Sequence, residues 1–191
     1  MGGRAGGGAS AGMGSGSRGM ASSLRNIESS IRNLPVEHAY VLDANGKVLD
    51  HLVGDEGSVE GNWDRFSDKG ITITHNHPED ASFSNTDVWT GIRLNAKEIR
   101  ATANGHTYSL KPGKNGWGIP RGSLGALKFS AEHMGYSGDY RATWQKTLIK
   151  KAKAGDKDVM TFVHSQLLKG QHYAISKMAK QYGWTYKVTK N

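Results

Sequence analysis

The chain has 191 residues, a formal net charge of +8, 36% apolar residues and no cysteine. That length suits one ordinary domain with an accessory piece. The missing cysteines exclude disulfides and thiolate-held metals, so any metal must be held by imidazole and carboxylate. No apolar run approaches the ~20 residues that cross a bilayer, and the first residues lack the apolar stretch of a secretory signal. Gly6 stands where a myristoylation pattern needs Ser or Thr. The expectation is a soluble cytoplasmic protein with no membrane partner. The charge is unevenly placed: residues 1–140 carry 14 Lys/Arg and 15 Asp/Glu, whereas residues 141–191 carry 11 Lys/Arg against Asp156 and Asp158 alone.

In chain order, residues 1–20 include nine glycines and read as a flexible tail, because nothing apolar offsets the entropy of ordering glycine. Residues 20–33 place Leu24, Ile27 and Ile31 at helical spacing, and Pro35 stops that helix. Asn45-Gly46, flanked by Tyr40, Leu42, Val48 and Leu49, marks a β-hairpin. A polar loop over 54–69 follows, then a short β-branched strand at 71–74. A helix is expected over 84–95, with Ser84 as N-cap and Asp87 in its first turn. Two strands then flank an Asn104-Gly105 turn. The Gly/Pro loop 112–125 is the expected edge of a core spanning 21–125, and 126–191 reads as a basic, mainly helical region. Within it Gly183 caps the last helix, and TYKV alternates as a final strand would.

The chemistry concentrates at His75-Asn76-His77-Pro78. Side chains at i and i+2 of a strand point the same way, so the two imidazoles can converge on one ion. Asp87 can add a third ligand from the next helix. Three protein ligands leave one tetrahedral position open, the arrangement of a hydrolytic zinc site. Proton transfer then needs a carboxylate base. Glu37, Glu56 and Glu60 are the candidates, and the last two lie in a polar loop where solvated carboxylates are ordinary. Ser84 is explained by helix capping alone, and it can serve a second purpose. His38 and His51 read as ordinary strand and hairpin residues, His106 as an exposed residue beside a turn, and His133, His164 and His172 show no ligand spacing between them.

The run H-N-H-P followed by S-x-x-D, with Glu37 ahead of an apolar strand, resembles the JAMM motif of JAB/MPN metalloproteases and RadC-like proteins. The likeness extends from about Leu34 to Pro112. It implies an α/β fold with a curved mixed sheet flanked by helices, here carrying a helical C-terminal appendage. By the resemblance, Zn²⁺ sits on His75, His77 and Asp87. Glu37 acts as general base, and Ser84 hydrogen-bonds the developing oxyanion. The implied activity is hydrolysis of a peptide or isopeptide bond in a protein or peptide-conjugate substrate. The pattern is most similar to JAB-like domains encoded by phages and prophages, including the Gly-rich start and the AKQYGWTY segment. Such a protein would work in the host cytoplasm or the virion. One departure matters: nine residues separate His77 from Asp87, where the family usually has ten. Asp87 reaches the metal if the helix starts early; otherwise Asp80 or a water takes its place. The alternative reading is a virion, morphogenesis or nucleic-acid-binding module with a structural or inactive metal site. In that reading the basic residues of 141–191 contact nucleic acid or an acidic protein.

Overall fold

The computed structural model describes residues 15–191. The chain is mixed α/β. Its elements, in order, are α1 (Ser15–Ile31), β1 (His38–Leu42), β2 (Val48–Val53), a short 3₁₀ turn (Trp63–Phe66), β3 (Thr72–Asn76), α2 (Asn85–Leu94), β4 (Glu98–Thr102), β5 (His106–Lys111), α3 (Ser123–Lys153), α4 (Val159–Tyr182) and β6 (Thr185–Lys190). Six strands form one sheet in the order β2-β1-β3-β4-β5-β6. β3 and β4 run parallel, joined by α2 as the crossover, and every other neighbouring pair is antiparallel.

The register divides the sheet into two chemically different faces. Ala39 pairs with His75 and Val41 with Ile73; Ile73 pairs with Ile99, and Ile99 with Leu110. Cross-strand partners share a face, so Val41, Ile73, Ile99 and Leu110 form an apolar surface on the face that His75 shares. It is buried together with Val88 and Ile92 of α2, Phe129 of α3, and Ile175 and Met178 of α4. Gly91 lets α2 approach closely, because a Cβ there would lie 2.8 Å from Ile99 Cγ2. The opposite face carries Thr74, Arg100 and Ser109 and is covered by α1. Arg100 there pairs with the buried Glu28 of α1 and Glu98 of β4.

Two expectations need correction. Residues 15–20 are not part of a tail: they are the first turns of α1. Gly19 brings α1 onto the β1–β2 turn, since a Cβ there would sit 2.9 Å from the Asn45 carbonyl oxygen. Residues 1–14 lie outside the described residues. The region after 125 is helical as expected, but it is more than an appendage. Phe129, Ile175, Met178 and Ala179 enter the same core as Ile73 and Ile99. β6 then adds to β5 over the full run from Thr185 to Lys190. Trp184 Nε1 donates to the Trp117 carbonyl at 2.9 Å, and Trp117 Nε1 donates to the Ala96 carbonyl at 3.0 Å. These bonds lock the 112–122 loop between the early and late parts of the chain. Away from the core, α3 and α4 pack on each other as an antiparallel pair, with Trp144 edge-on to Phe162 at 6.0 Å. Among the described residues, no helix is long and apolar enough to cross a membrane.

Candidate metal centre

β3 is hydrogen-bonded to β1 on one side and β4 on the other, which fixes the backbone beneath His75. The His77 N–H donates to the Thr102 carbonyl at 2.9 Å, so the pairing with β4 continues one residue past the strand. The two imidazoles leave the sheet on the same face and meet with their Nε2 atoms 2.9 Å apart. His77 Nδ1 lies 3.1 Å from the Ala81 carbonyl oxygen. A carbonyl only accepts, so Nδ1 carries a proton, and Nε2 is the nitrogen that faces His75 and Asp87.

Asp87 arrives from the first turn of α2. Ser84 caps that helix: its Oγ accepts the Asp87 N–H at 3.1 Å, and Asp87 Oδ2 accepts the Ser84 N–H at 2.7 Å. This reciprocal capping box aims the carboxylate back at the histidines. Oδ1 lies 3.5 Å from His75 Nε2, and Oδ2 lies 3.4 Å from His77 Nε2. The nine-residue connection therefore suffices to bring Asp87 to the pair. Asp80, the alternative ligand, turns away on a left-handed backbone (φ 54°), and its Oδ1 accepts the Gly105 N–H at 3.1 Å.

His75, His77 and Asp87 could hold a metal ion. Donor atoms around a tetrahedral ion with ligand bonds of about 2.0–2.1 Å lie roughly 3.3 Å from one another. The two Nε2 atoms are 2.9 Å apart, His75 and His77 each approach a different Asp87 oxygen at 3.5 and 3.4 Å, and one ligand atom from each residue can be chosen so that all lie within 4.8 Å of one another. Two imidazoles and one carboxylate suit a first-row divalent ion better than a soft one.

Glu37 sits just before β1, buried, with Oε1 3.6 Å from His77 Nε2. Its backbone exchanges hydrogen bonds with the 54–55 segment, the Glu37 N–H reaching the Asp55 carbonyl at 2.7 Å and the Gly54 N–H reaching the Glu37 carbonyl at 2.8 Å. Glu56 and Glu60 are exposed on the cleft wall. The structure thus brings Glu37, His75, His77, Ser84 and Asp87 to one cleft of about 930 Å³.

The electrostatics are strongly coupled. Burial pushes the Glu37 carboxyl up, only partly offset by His75 and His77. Burial also works against an ionised Asp87, yet the two histidines overcome it and hold that carboxyl well below its usual range. Burial would lower His77, but hydrogen bonding and charge from Asp87, with the Glu37 charge, raise it to about 9.

Sequence reasoning missed Asn76, which is fully buried. Its Nδ2 donates to the Val36 carbonyl at 2.9 Å and the Leu34 carbonyl at 3.3 Å, while its Oδ1 accepts the His38 N–H at 2.7 Å. It therefore grips the chain on both sides of Glu37. Leu168 and Gln171 of α4 complete the cleft wall, and no local signal ties those positions to His75. The remaining histidines stay apart from the triad. His38 and His51 meet each other at 3.0 Å, His164 meets Glu79 and His172 meets Tyr186. Comparison with family models, curated proteins and solved structures gives no match to any of the three.

Proposed function

We propose that this chain is a zinc-dependent hydrolase of peptide or isopeptide bonds, of the JAMM type and phage- or prophage-encoded. The observation that carries this reading is the convergence of Glu37, His75, His77 and Asp87 from three separate segments on one cleft. A divalent zinc bound there would polarise the scissile carbonyl and lower the pKa of a water near it. Everything else is supplied by the chain. His75, His77 and Asp87 would hold the ion. Glu37 takes the proton from the attacking water and passes it to the leaving amine. A carboxyl raised above its ordinary range by burial is better suited to both halves of that transfer than an ordinary one. Ser84 Oγ already accepts the Asp87 N–H, so its own hydrogen is free to point at the oxyanion. The 56–61 loop and Leu168 and Gln171 of α4 line the cleft, and an extended substrate would lie between them.

Elemental mass spectrometry of the purified protein tests the metal, and a panel of linear and isopeptide-linked substrates tests the chemistry. The wild type should carry about one zinc per chain, and His77→Ala and Asp87→Ala should lose it. Glu37→Gln should keep the metal and cleave about 10²–10⁴-fold more slowly. A wild type that takes up no zinc after reconstitution would end the hydrolase reading. Undiminished cleavage by Glu37→Gln would remove Glu37 as the base.

A further inference from the structure

The charge asymmetry of the sequence takes a definite shape in the fold. Between Arg141 and Lys169 there are seven Lys/Arg against two Asp, and this stretch is the paired far end of α3 and α4 with the turn that joins them. Trp144 and Leu148 turn inward toward α4, where Trp144 is buried against the half-buried Phe162. Lys146, Lys150 and Lys153 follow at i, i+4 and i+7, the spacing of a single helix face, and all three are exposed. Lys157 in the turn and Arg141 are exposed too. Lys151 is the exception, because its ammonium is held by Asp156 at 2.6 Å. Among the described residues, these other five have no carboxylate within ion-pair distance, so the outer face is a stripe of cations.

The chemistry of this face selects its partner. Both helices satisfy their backbone groups internally, so the pair offers no strand edge to a peptide. Its aromatic side chains are turned inward, which leaves no exposed anchor of the kind that dominates protein interfaces. Ile149, Met160 and Leu167 are the large exposed apolar side chains of this stretch, too few for the broad apolar face of a membrane-surface helix. A phosphodiester backbone needs none of these features, only closely spaced mobile cations.

We infer that the α3–α4 tip is a sequence-independent docking surface for duplex nucleic acid, contacted through Lys146, Lys150, Lys153 and Lys157. This binding is independent of the metal centre, and it places the cleft beside the duplex. α4 carries the connection: His164 reaches Glu79 at 3.1 Å, and Leu168 and Gln171, one to two turns further on, line the cleft.

Fluorescence anisotropy with a labelled mixed-sequence DNA duplex, between 50 and 200 mM salt, tests the inference on the full chain. Three to five phosphate contacts give log K against log salt a slope of about −3 to −4.5. Lys146→Glu/Lys150→Glu/Lys153→Glu should weaken binding at least tenfold and flatten the slope. Lys69→Glu/Lys97→Glu/Lys114→Glu, with the same charge change placed elsewhere on exposed positions, should stay within threefold of wild type. His77→Ala should bind as wild type does, which separates this outcome from the fate of the hydrolase reading. Equal weakening by the two triple variants would reduce the effect to net charge and overturn the inference. So would the absence of salt-sensitive binding, or binding to phosphatidylserine vesicles or polyglutamate but not to the duplex.

Discussion

Asn76 sits between the two histidines of the candidate centre and touches neither the cleft nor its donors. Its amide replaces a missing strand. Pro35 has no N–H to offer a neighbour, so the approach to β1 cannot pair regularly, and Asn76 satisfies the Leu34 and Val36 carbonyls and the His38 N–H instead. Asn76→Ala would strand three partly buried backbone groups, each of which would cost about 1–3 kcal/mol if fully buried and less where water reaches it. The expected loss of unfolding free energy is about 2–4 kcal/mol, read by urea titration. A loss under 0.5 kcal/mol, on the order of an ordinary surface substitution, would show that water replaces the amide. The candidate residues themselves were legible in the sequence because their chemistry is tied to spacing: His75 and His77 alternate on a strand, and Ser84 and Asp87 form an S-x-x-D helix start. Asn76 was not legible, because the residue between two ligands reads as a spacer. Its partners are about 40 positions away and carry no side-chain signature, being backbone carbonyls and an N–H.

At the scale of elements, local signals located the strand at 71–74, the helix from 84, both Asn-Gly turns and the TYKV strand. They failed where one element rests on another. A run such as SGSRG argues against helix by propensity, yet it forms the start of α1 because contact with the hairpin turn outweighs that preference. Gly46 is the other half of this contact. Its φ is +87°, and a Cβ there would lie 2.7 Å from Met20 Cα. Gly46→Ala therefore meets both left-handed strain and a backbone clash, with an expected destabilisation of about 2–3 kcal/mol. Gly57→Ala is the matched control, since nothing lies within 4 Å of a Cβ at that position. Thermal unfolding followed by circular dichroism should lower the midpoint for Gly46→Ala alone. Equal midpoints would mean that α1 does not rest on the turn.

Across the whole molecule, the sheet separates an apolar face from a polar one held together by charge. Glu28 of α1, Arg100 and Glu98 of β4, Ser109 and Lys111 of β5 and Thr74 of β3 form a single network. Glu28 and Arg100 are 72 positions apart, so no window of sequence reveals the pair. Burial would raise the Glu98 carboxyl, but hydrogen bonds from Ser109 and Arg100 and the nearby positive charges hold it below its ordinary 4.5. A depressed carboxylate contributes stability above its unfolded pKa and loses it as pH falls through the folded one. Stability should therefore decline as pH drops below 4.5, and Glu98→Gln should flatten that acid limb while lowering stability at neutral pH. Urea midpoints measured from pH 7 to pH 3 check the sign. An unchanged acid limb in Glu98→Gln would assign acid sensitivity to other carboxylates.

β3 lies inside the sheet, hydrogen-bonded on both sides to β1 and β4, and this position has a kinetic consequence. Amides of such a strand exchange with deuterium only when the whole domain opens, whereas the far ends of α3 and α4, held mainly by each other, open locally and often. His75 rides on one of the interior strands, where exchange should be slowest, and His77 follows it by one bonded residue. Heating should loosen the paired helices first and leave the two imidazoles in register until global unfolding takes fold and ligand geometry together.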